Sequence, residues 1–181
     1  MKKKVYGVIL AGGQGTRMGN SEKPKQFLIA GGKPVIIHTI EKFIVFSEFE
    51  KIIVPVPRQW QAYTKDIVNQ YISDTQRISI IEGGNTRNET IMNAIEYIDK
   101  QGGLDDDTLI VTHDSVRPFV TYRIIEENIK YAGECGACDT VIPASDTIVE
   151  SKDGSYISSI PERRMMYQGQ TPQSFRPTRL R

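Results

Sequence analysis

At 181 residues, with 39% hydrophobic and 25% charged side chains, the chain has the size and composition of one ordinary globular domain rather than of a fibrous, disordered or membrane-spanning protein. Its 23 Lys and Arg balance 22 Asp and Glu to a formal charge of +1, so no bulk field draws it to nucleic acid or to an anionic lipid surface, and any basic site is local. Two cysteines, Cys135 and Cys138, and two histidines, His38 and His113, are too few for a disulfide framework or a zinc site, which leaves reduced thiols and a cytoplasmic setting as the expectation.

The first apolar run, residues 5–10, ends at a glycine cluster and predicts a buried parallel strand feeding a loop. Preceded by Lys2-Lys3-Lys4, it superficially imitates a signal peptide, but the apolar stretch is minimal and leads straight into Gly12-Gly13-Gln14-Gly15-Thr16-Arg17. No other run approaches membrane-spanning length, so no membrane insertion is expected. Apolar residues at helical spacing over 34–46 (Ile36, Ile37, Ile40, Phe43, Ile44), with Pro34 suited to a first turn, predict a helix. The alternation continues with a strand at Ile52-Ile53-Val54, a helix over 60–71, a strand over 78–81, a helix over 88–100 and a strand at Leu109-Ile110-Val111. Such alternation predicts an α/β fold, a Rossmann-like mainly parallel sheet with helices on both faces. From Asp139 the pattern changes. Residues 140–143 and 147–151, a turn signal at Asp153-Gly154 and residues 156–160 predict a protruding β-hairpin arm spanning 140–164, convenient as a dimer contact.

Ligands of parallel sheets bind beyond the carboxyl ends of the strands. Residues 12–17, 83–88 and 113–118 each come directly after a predicted strand and are expected to converge on one rim. Glycines at 12, 13 and 15 let backbone N–H groups approach phosphate oxygens, and Arg17 with Lys25 supplies local positive charge. No Gly-Lys-Ser/Thr comes after the loop, so this is not a Walker loop, and Met18 stands where a dinucleotide fingerprint needs its third glycine.

The block Gly13-Gln14-Gly15-Thr16-Arg17-Met18 with Pro24-Lys25-Gln26 resembles the signature of the sugar nucleotidyltransferase-like cytidylyltransferases. The likeness extends in family order through Gly83-Gly84-Asn85-Thr86-Arg87-Asn88-Glu89-Thr90, His113-Asp114-Ser115-Val116-Arg117-Pro118-Phe119, Asp146-Thr147-Ile148 and Gln170-Thr171-Pro172-Gln173-Ser174-Phe175. It implies a nucleotide-diphospho-sugar transferase type of fold and transfer of a nucleotidyl group from CTP to a polyol phosphate. Two branches compete, one acting on 2-C-methyl-D-erythritol 4-phosphate in isoprenoid synthesis and one on D-ribitol 5-phosphate in wall teichoic acid synthesis. Ser115-Val116, where the erythritol branch usually has two alanines, and Tyr167-Gln168-Gly169-Gln170-Thr171-Pro172 look like the ribitol branch.

Carried over by block, the resemblance implies Arg17 and Lys25 as catalytic cations. Leu10, Ala11, Gly12, Gly13, Gly15, Gly83, Gly84, Asn85, Arg87, Thr90 and Ser115 would bind nucleotide, Arg117, Thr147 and Arg163 the polyol phosphate, and Asp114 a Mg²⁺ ion. Blander roles stand beside these: Asn85 or Thr86 as a helix cap, Asp114 as a loop cap, Arg163 and Arg164 as solvated charges, His113 as a packed histidine rather than a base. Family members continue for several tens of residues with a further active-site lysine in a Lys-Ile-Thr-Thr-like block, which has no match here. Residues 1–181 are thus expected to be a single nucleotidyltransferase domain without its C-terminal part, dimeric through the arm.

Overall fold

The computed structural model describes residues 3–13, 23–102 and 104–177. Strand β1 (Val5–Leu10) needs shielding on both faces, because Val5, Val8, Ile9 and Leu10 are all apolar, and it lies inside a six-stranded sheet with a parallel neighbour on each side. Next along the chain are a 3₁₀ turn at Lys25–Phe27, a small hairpin of β2 (Ile29–Ala30) and β3 (Lys33–Pro34), helix α1 (Val35–Ile44) and β4 (Phe49–Val56). The hairpin turns through Gly31 and Gly32 at φ 57° and 86°, a conformation that favours glycine. Then come α2 (Gln61–Tyr71), β5 (Ile78–Glu82), α3 (Arg87–Gly102), β6 (Leu109–Asp114), α4 (Tyr122–Cys135), β7 (Ala137–Pro143) and β8 (Tyr167–Phe175). The sheet order is β5-β4-β1-β6-β8-β7. Its strands run in one direction except β8, which is antiparallel to both neighbours. The mainly parallel α/β sheet expected from the sequence is the one that forms.

Successive strand residues point to opposite faces, and this divides the core. Ile52, Val54, Val56, Leu109 and Val111 join α1, α2 and α4 on one side, while Val8, Leu10, Ile53 and Ile110 join α3 on the other. Phe43 of α1 stacks on Phe49 at 5.4 Å, both fully buried; each such side chain contributes roughly 1.5–3 kcal/mol before conformational entropy is charged. Phe27 packs against Trp60 at 5.0 Å and Tyr63 at 5.1 Å, which anchors the 3₁₀ turn to the start of α2. Helix α4 is capped by the Thr121 hydroxyl, which accepts from Ile124 N–H, and stops at Gly136 in the left-handed region.

The arm departs from the expected hairpin. Val141, Ile142 and Pro143 pair with Gly169, Gln168 and Tyr167 of β8, so the end of β7 belongs to the sheet. The arm proper, residues 144–166, is irregular: Glu150 and Ser159 form an isolated bridge, and the Asp153 carboxylate gathers the N–H groups of Ser155 and Tyr156 around Gly154. The turn at Asp153-Gly154 is present, but its carboxylate satisfies the local backbone donors that a strand ladder would otherwise use. Among the described residues no helix is long and apolar enough to cross a membrane.

Candidate active site

Three strand ends meet at one rim. Leu10 sits in register with Asp114, Ser115 N–H donates to Leu10 C=O at 3.0 Å, and Gly83 N–H donates to Val56 C=O at 2.9 Å. Thr90, in the first turn of α3, joins the loops after β1 and β5. Its hydroxyl accepts from Gly84 N–H at 3.0 Å and donates to Thr86 C=O at 2.8 Å, and a Cβ on either Gly12 or Gly83 would lie 3.5 Å from the same oxygen. The start of α3 is a reciprocal cap. Thr86 Oγ1 accepts from Glu89 N–H at 3.1 Å, and Glu89 Oε2 accepts from Asn85 N–H at 2.7 Å and from Thr86 N–H at 3.3 Å. Of the two cap candidates, Thr86 takes the role. The Thr90 hydroxyl and the Asn85 backbone amide serve the loop itself.

At the end of β6, Asp114 is gripped by two arginines. Arg87 Nη1 donates to Oδ1 at 2.7 Å, and Arg117 Nε donates to Oδ2 at 3.0 Å. Glutamines of β8 hold the far ends of both guanidinium groups: Gln173 Oε1 accepts from Arg87 at 2.9 Å and Gln170 Oε1 from Arg117 at 2.7 Å. Gln173 in turn donates to Asp139 Oδ2 at 3.1 Å. Burial alone would raise the Asp114 pKa, but the hydrogen bonds and charge of Arg87, then of Arg117, hold the carboxyl below its ordinary value. Asp114 is therefore an anion at neutral pH.

Mg²⁺ prefers one or two carboxylates completed by phosphate oxygens and water. Asp114 can supply one carboxylate, yet both of its oxygens already accept from arginine, and among the described residues no group of three His, Cys, Asp or Glu could hold a metal ion. Each oxygen keeps a further lone pair, so Asp114 would hold a cation as one ligand beside nucleotide phosphate oxygens and water.

The loop after β6 is pinned from beneath. His113 is fully buried, stacks against Phe43 at 5.3 Å and meets Arg117 C=O through Nε2 at 3.0 Å; Thr39 of α1 donates to Ser115 C=O at 2.9 Å. Burial pushes the His113 pKa down, so the ring is neutral and Nε2–H donates to the carbonyl. The packed reading of His113 fits this environment.

Lys25 lies in the 3₁₀ turn beside Gln26, whose side-chain amide donates to Ala11 C=O at 2.8 Å and to Gly13 C=O at 3.3 Å. Arg17 and Gly15 lie outside the described residues. Thr147 and Arg163 are exposed on the arm; Arg163 donates to Ser145 C=O, and among the described residues no hydrogen bond or ion pair joins either to the rim. Gln170, Gln173, Thr39 and Gln26 received no role from the sequence. Gln26, Gln170 and Gln173 do fall inside the blocks that carry the resemblance, and the signal for Thr39 was a polar residue on the apolar face of a helix.

A mainly parallel sheet whose carboxyl rim gathers glycine-rich backbone, paired arginines and an ionised aspartate defines a nucleotidyltransferase-like enzyme. Comparison with known proteins narrows the class: a family model described as 2-C-methyl-D-erythritol 4-phosphate cytidylyltransferase (IspD) matches residues 5–181, and the chain belongs to that family. It is similar to the 4-diphosphocytidyl-2C-methyl-D-erythritol synthase of Anaerococcus prevotii, with TM-score 0.79 and 26% identity over 99% of this chain and 72% of that one. Similarity to the Francisella tularensis 2-C-methyl-D-erythritol 4-phosphate cytidylyltransferase reaches TM-score 0.75 and 25% identity over 96% and 73% of the two chains. The bifunctional IspDF of Campylobacter jejuni gives the same TM-score and identity over 96% of this chain and 41% of its own. These names accord with the erythritol branch more than with the ribitol branch suggested by the blocks around Ser115-Val116 and Tyr167-Gln168-Gly169-Gln170-Thr171-Pro172.

Proposed function

We propose that this cytidylyltransferase joins CTP to the phosphate of a short linear polyol phosphate and releases pyrophosphate. An acceptor phosphate oxygen bonds to the α-phosphorus while the α–β bridging bond breaks and its electron pair leaves with pyrophosphate. The protein needs only to align the two phosphates and offset their charge. The observation that carries this reading is the Asp114 clamp, with two arginines converging on one carboxylate at the mouth of the glycine loop. When the substrates enter, Arg87 can exchange that carboxylate for nucleotide phosphate oxygens and Arg117 for those of the acceptor, which suit their forked donors. Lys25, with Arg17, would offset charge growing on the α-phosphate; Mg²⁺ held with the nucleotide at Asp114 would supply further charge neutralisation.

Arg117, Thr147 and Arg163 would grip the acceptor. The arm exposes Val149, Tyr156, Ile157, Ile160 and Met165, a collection of apolar groups expected to be covered, and a second copy covering them would bring its own Thr147 and Arg163 to the rim. A cytoplasmic setting suits a CTP-dependent enzyme whose Cys135 and Cys138 form no disulfide.

For the acceptor, D-ribitol 5-phosphate is favoured by the residue blocks at Ser115-Val116 and Tyr167-Gln168-Gly169-Gln170, which would make the product a teichoic acid precursor. The second reading, 2-C-methyl-D-erythritol 4-phosphate for isoprenoid synthesis, is favoured by the family description and by the names of the solved relatives. Pyrophosphate release with CTP and Mg²⁺ tests both. Release with ribitol 5-phosphate alone supports the first, release with the erythritol phosphate alone replaces it with the second, and CTP binding without release with either overturns the acceptor assignment.

A further inference from the structure

The sequence gives Gln26 no task, yet its side chain is one of the most enclosed polar groups near the rim. It is 3% exposed, and its Nε2 spans two carbonyls of the glycine loop, Ala11 at 2.8 Å and Gly13 at 3.3 Å. A trans peptide points its N–H opposite to its C=O, so holding the Ala11 carbonyl against Gln26 turns Gly12 N–H to the other face. Phe27, the next residue, is fixed between Trp60 and Tyr63, so the amide is presented from an anchored point, and Lys25 rides on the same turn.

We propose that Gln26 is a positioning residue for the nucleotide: its amide sets the orientation of the Ala11–Gly13 backbone that faces the triphosphate and couples that backbone to Lys25. The proposal rests on the family's use of CTP and not on which acceptor is correct. A glycine loop without such a tie would have to be ordered by the ligand, at the ligand's expense in affinity.

The test is titration of Mg·CTP into the folded chain by calorimetry at pH 8 and pH 5.5, alongside thermal melting, for wild type, Gln26→Met and Gln26→Glu. Gln26→Met keeps the volume and removes the donor; it is expected to stay folded and to bind CTP roughly tenfold more weakly, the effect of about one lost hydrogen bond. Gln26→Glu presents a carboxylate to two carbonyl oxygens at pH 8 and is expected to bind more weakly still. At pH 5.5 the buried acid, favoured in its neutral form, can donate to one carbonyl, so Gln26→Glu should regain affinity relative to wild type while Gln26→Met does not. A folded Gln26→Met that binds CTP within twofold of wild type overturns the proposal. So does loss of folding in both variants, which would assign Gln26 to the fold alone. If wild type itself fails to bind CTP, the nucleotide assignment falls and not merely the role of Gln26.

Discussion

Gly84→Ala is the substitution whose consequence the geometry states most directly. A Cβ at residue 84 would collide with Glu89 Cβ and lie 2.8 Å from the Glu89 carbonyl carbon and 2.9 Å from Thr90 N. All of these belong to the first turn of α3, where little can give. Relief requires the loop to lift, which breaks the Gly84–Thr90 bond and pulls Asn85 and Thr86 from the Glu89 carboxylate. The lost cap costs roughly 1 kcal/mol, the Thr90 bond a similar amount, and residual overpacking about 1 kcal/mol more. The total is about 3 kcal/mol, a melting-temperature drop of roughly 6–12 °C for a domain of this size. Gly83→Ala is the control, because a Cβ there meets Thr90 and Val56 only at 3.5 Å or beyond. Thermal unfolding by circular dichroism with CTP titration reads both: Gly84→Ala should melt early and bind CTP weakly, Gly83→Ala should melt close to wild type. Gly84→Ala melting within 1 °C of wild type would refute the reasoning.

Asp114→Asn should lower kcat/KM at least about a hundredfold while costing little stability, since its arginine partners are more than a third exposed and screened pairs give about 0–1 kcal/mol each; activity within twofold of wild type would remove Asp114 from the machinery. The depressed Asp114 pKa means its stabilisation is present above the ordinary carboxylate range and lost only as pH falls through the folded value, an acid limb that Asp114→Asn should lack. His113 is also depressed, so below its ordinary pKa of 6.5 the unfolded chain takes the proton first and stability falls with pH, at no more than about 1.4 kcal/mol per pH unit; His113→Gln, which keeps a donor for Arg117 C=O, should lose that slope in denaturant melts between pH 7 and 5. Replacing Ile157 and Ile160 by Ser should convert a dimer to single copies in sedimentation and depress pyrophosphate release, and a fully active single copy of the unaltered chain would sink the shared-site reading.

Much of the sheet was legible because β1, β4 and β6 are apolar on both faces, and only parallel strands between helix layers tolerate that. Helix α4 was harder to see although its cap at Thr121 and its stop at Gly136 are both in the sequence; its buried face includes Asn128, which bonds Thr140 and Ser174, so the apolar stripe is interrupted. Strand β8 was hidden by Gly169 and Pro172, which strands ordinarily avoid, and by three glutamines, of which Gln170 and Gln173 serve the rim. The convergence of Gly12 and Gly13 with residues 83–88 and 113–118 was readable from their positions after strands. The engagement of Asp114 by Arg87 was not, because nothing in a linear spacing of 27 residues says that two side chains point at each other. The arm illustrates the converse: a correct turn signal at Asp153 does not make the flanks pair.

The reversed strand β8 gives this enzyme a folding order. Because β8 fills the place between β6 and β7, those two strands must be held apart, with α4 spanning them, until residues 167–175 arrive. Until then β6 offers an unpaired edge of the kind that recruits other chains, and Arg87 and Arg117 lack partners lying 86 and 53 residues further along the chain. A nascent chain should therefore acquire its nucleotide rim last, when the late strand slides in like a keystone, and the long loop this closes should make that insertion the slow step of folding.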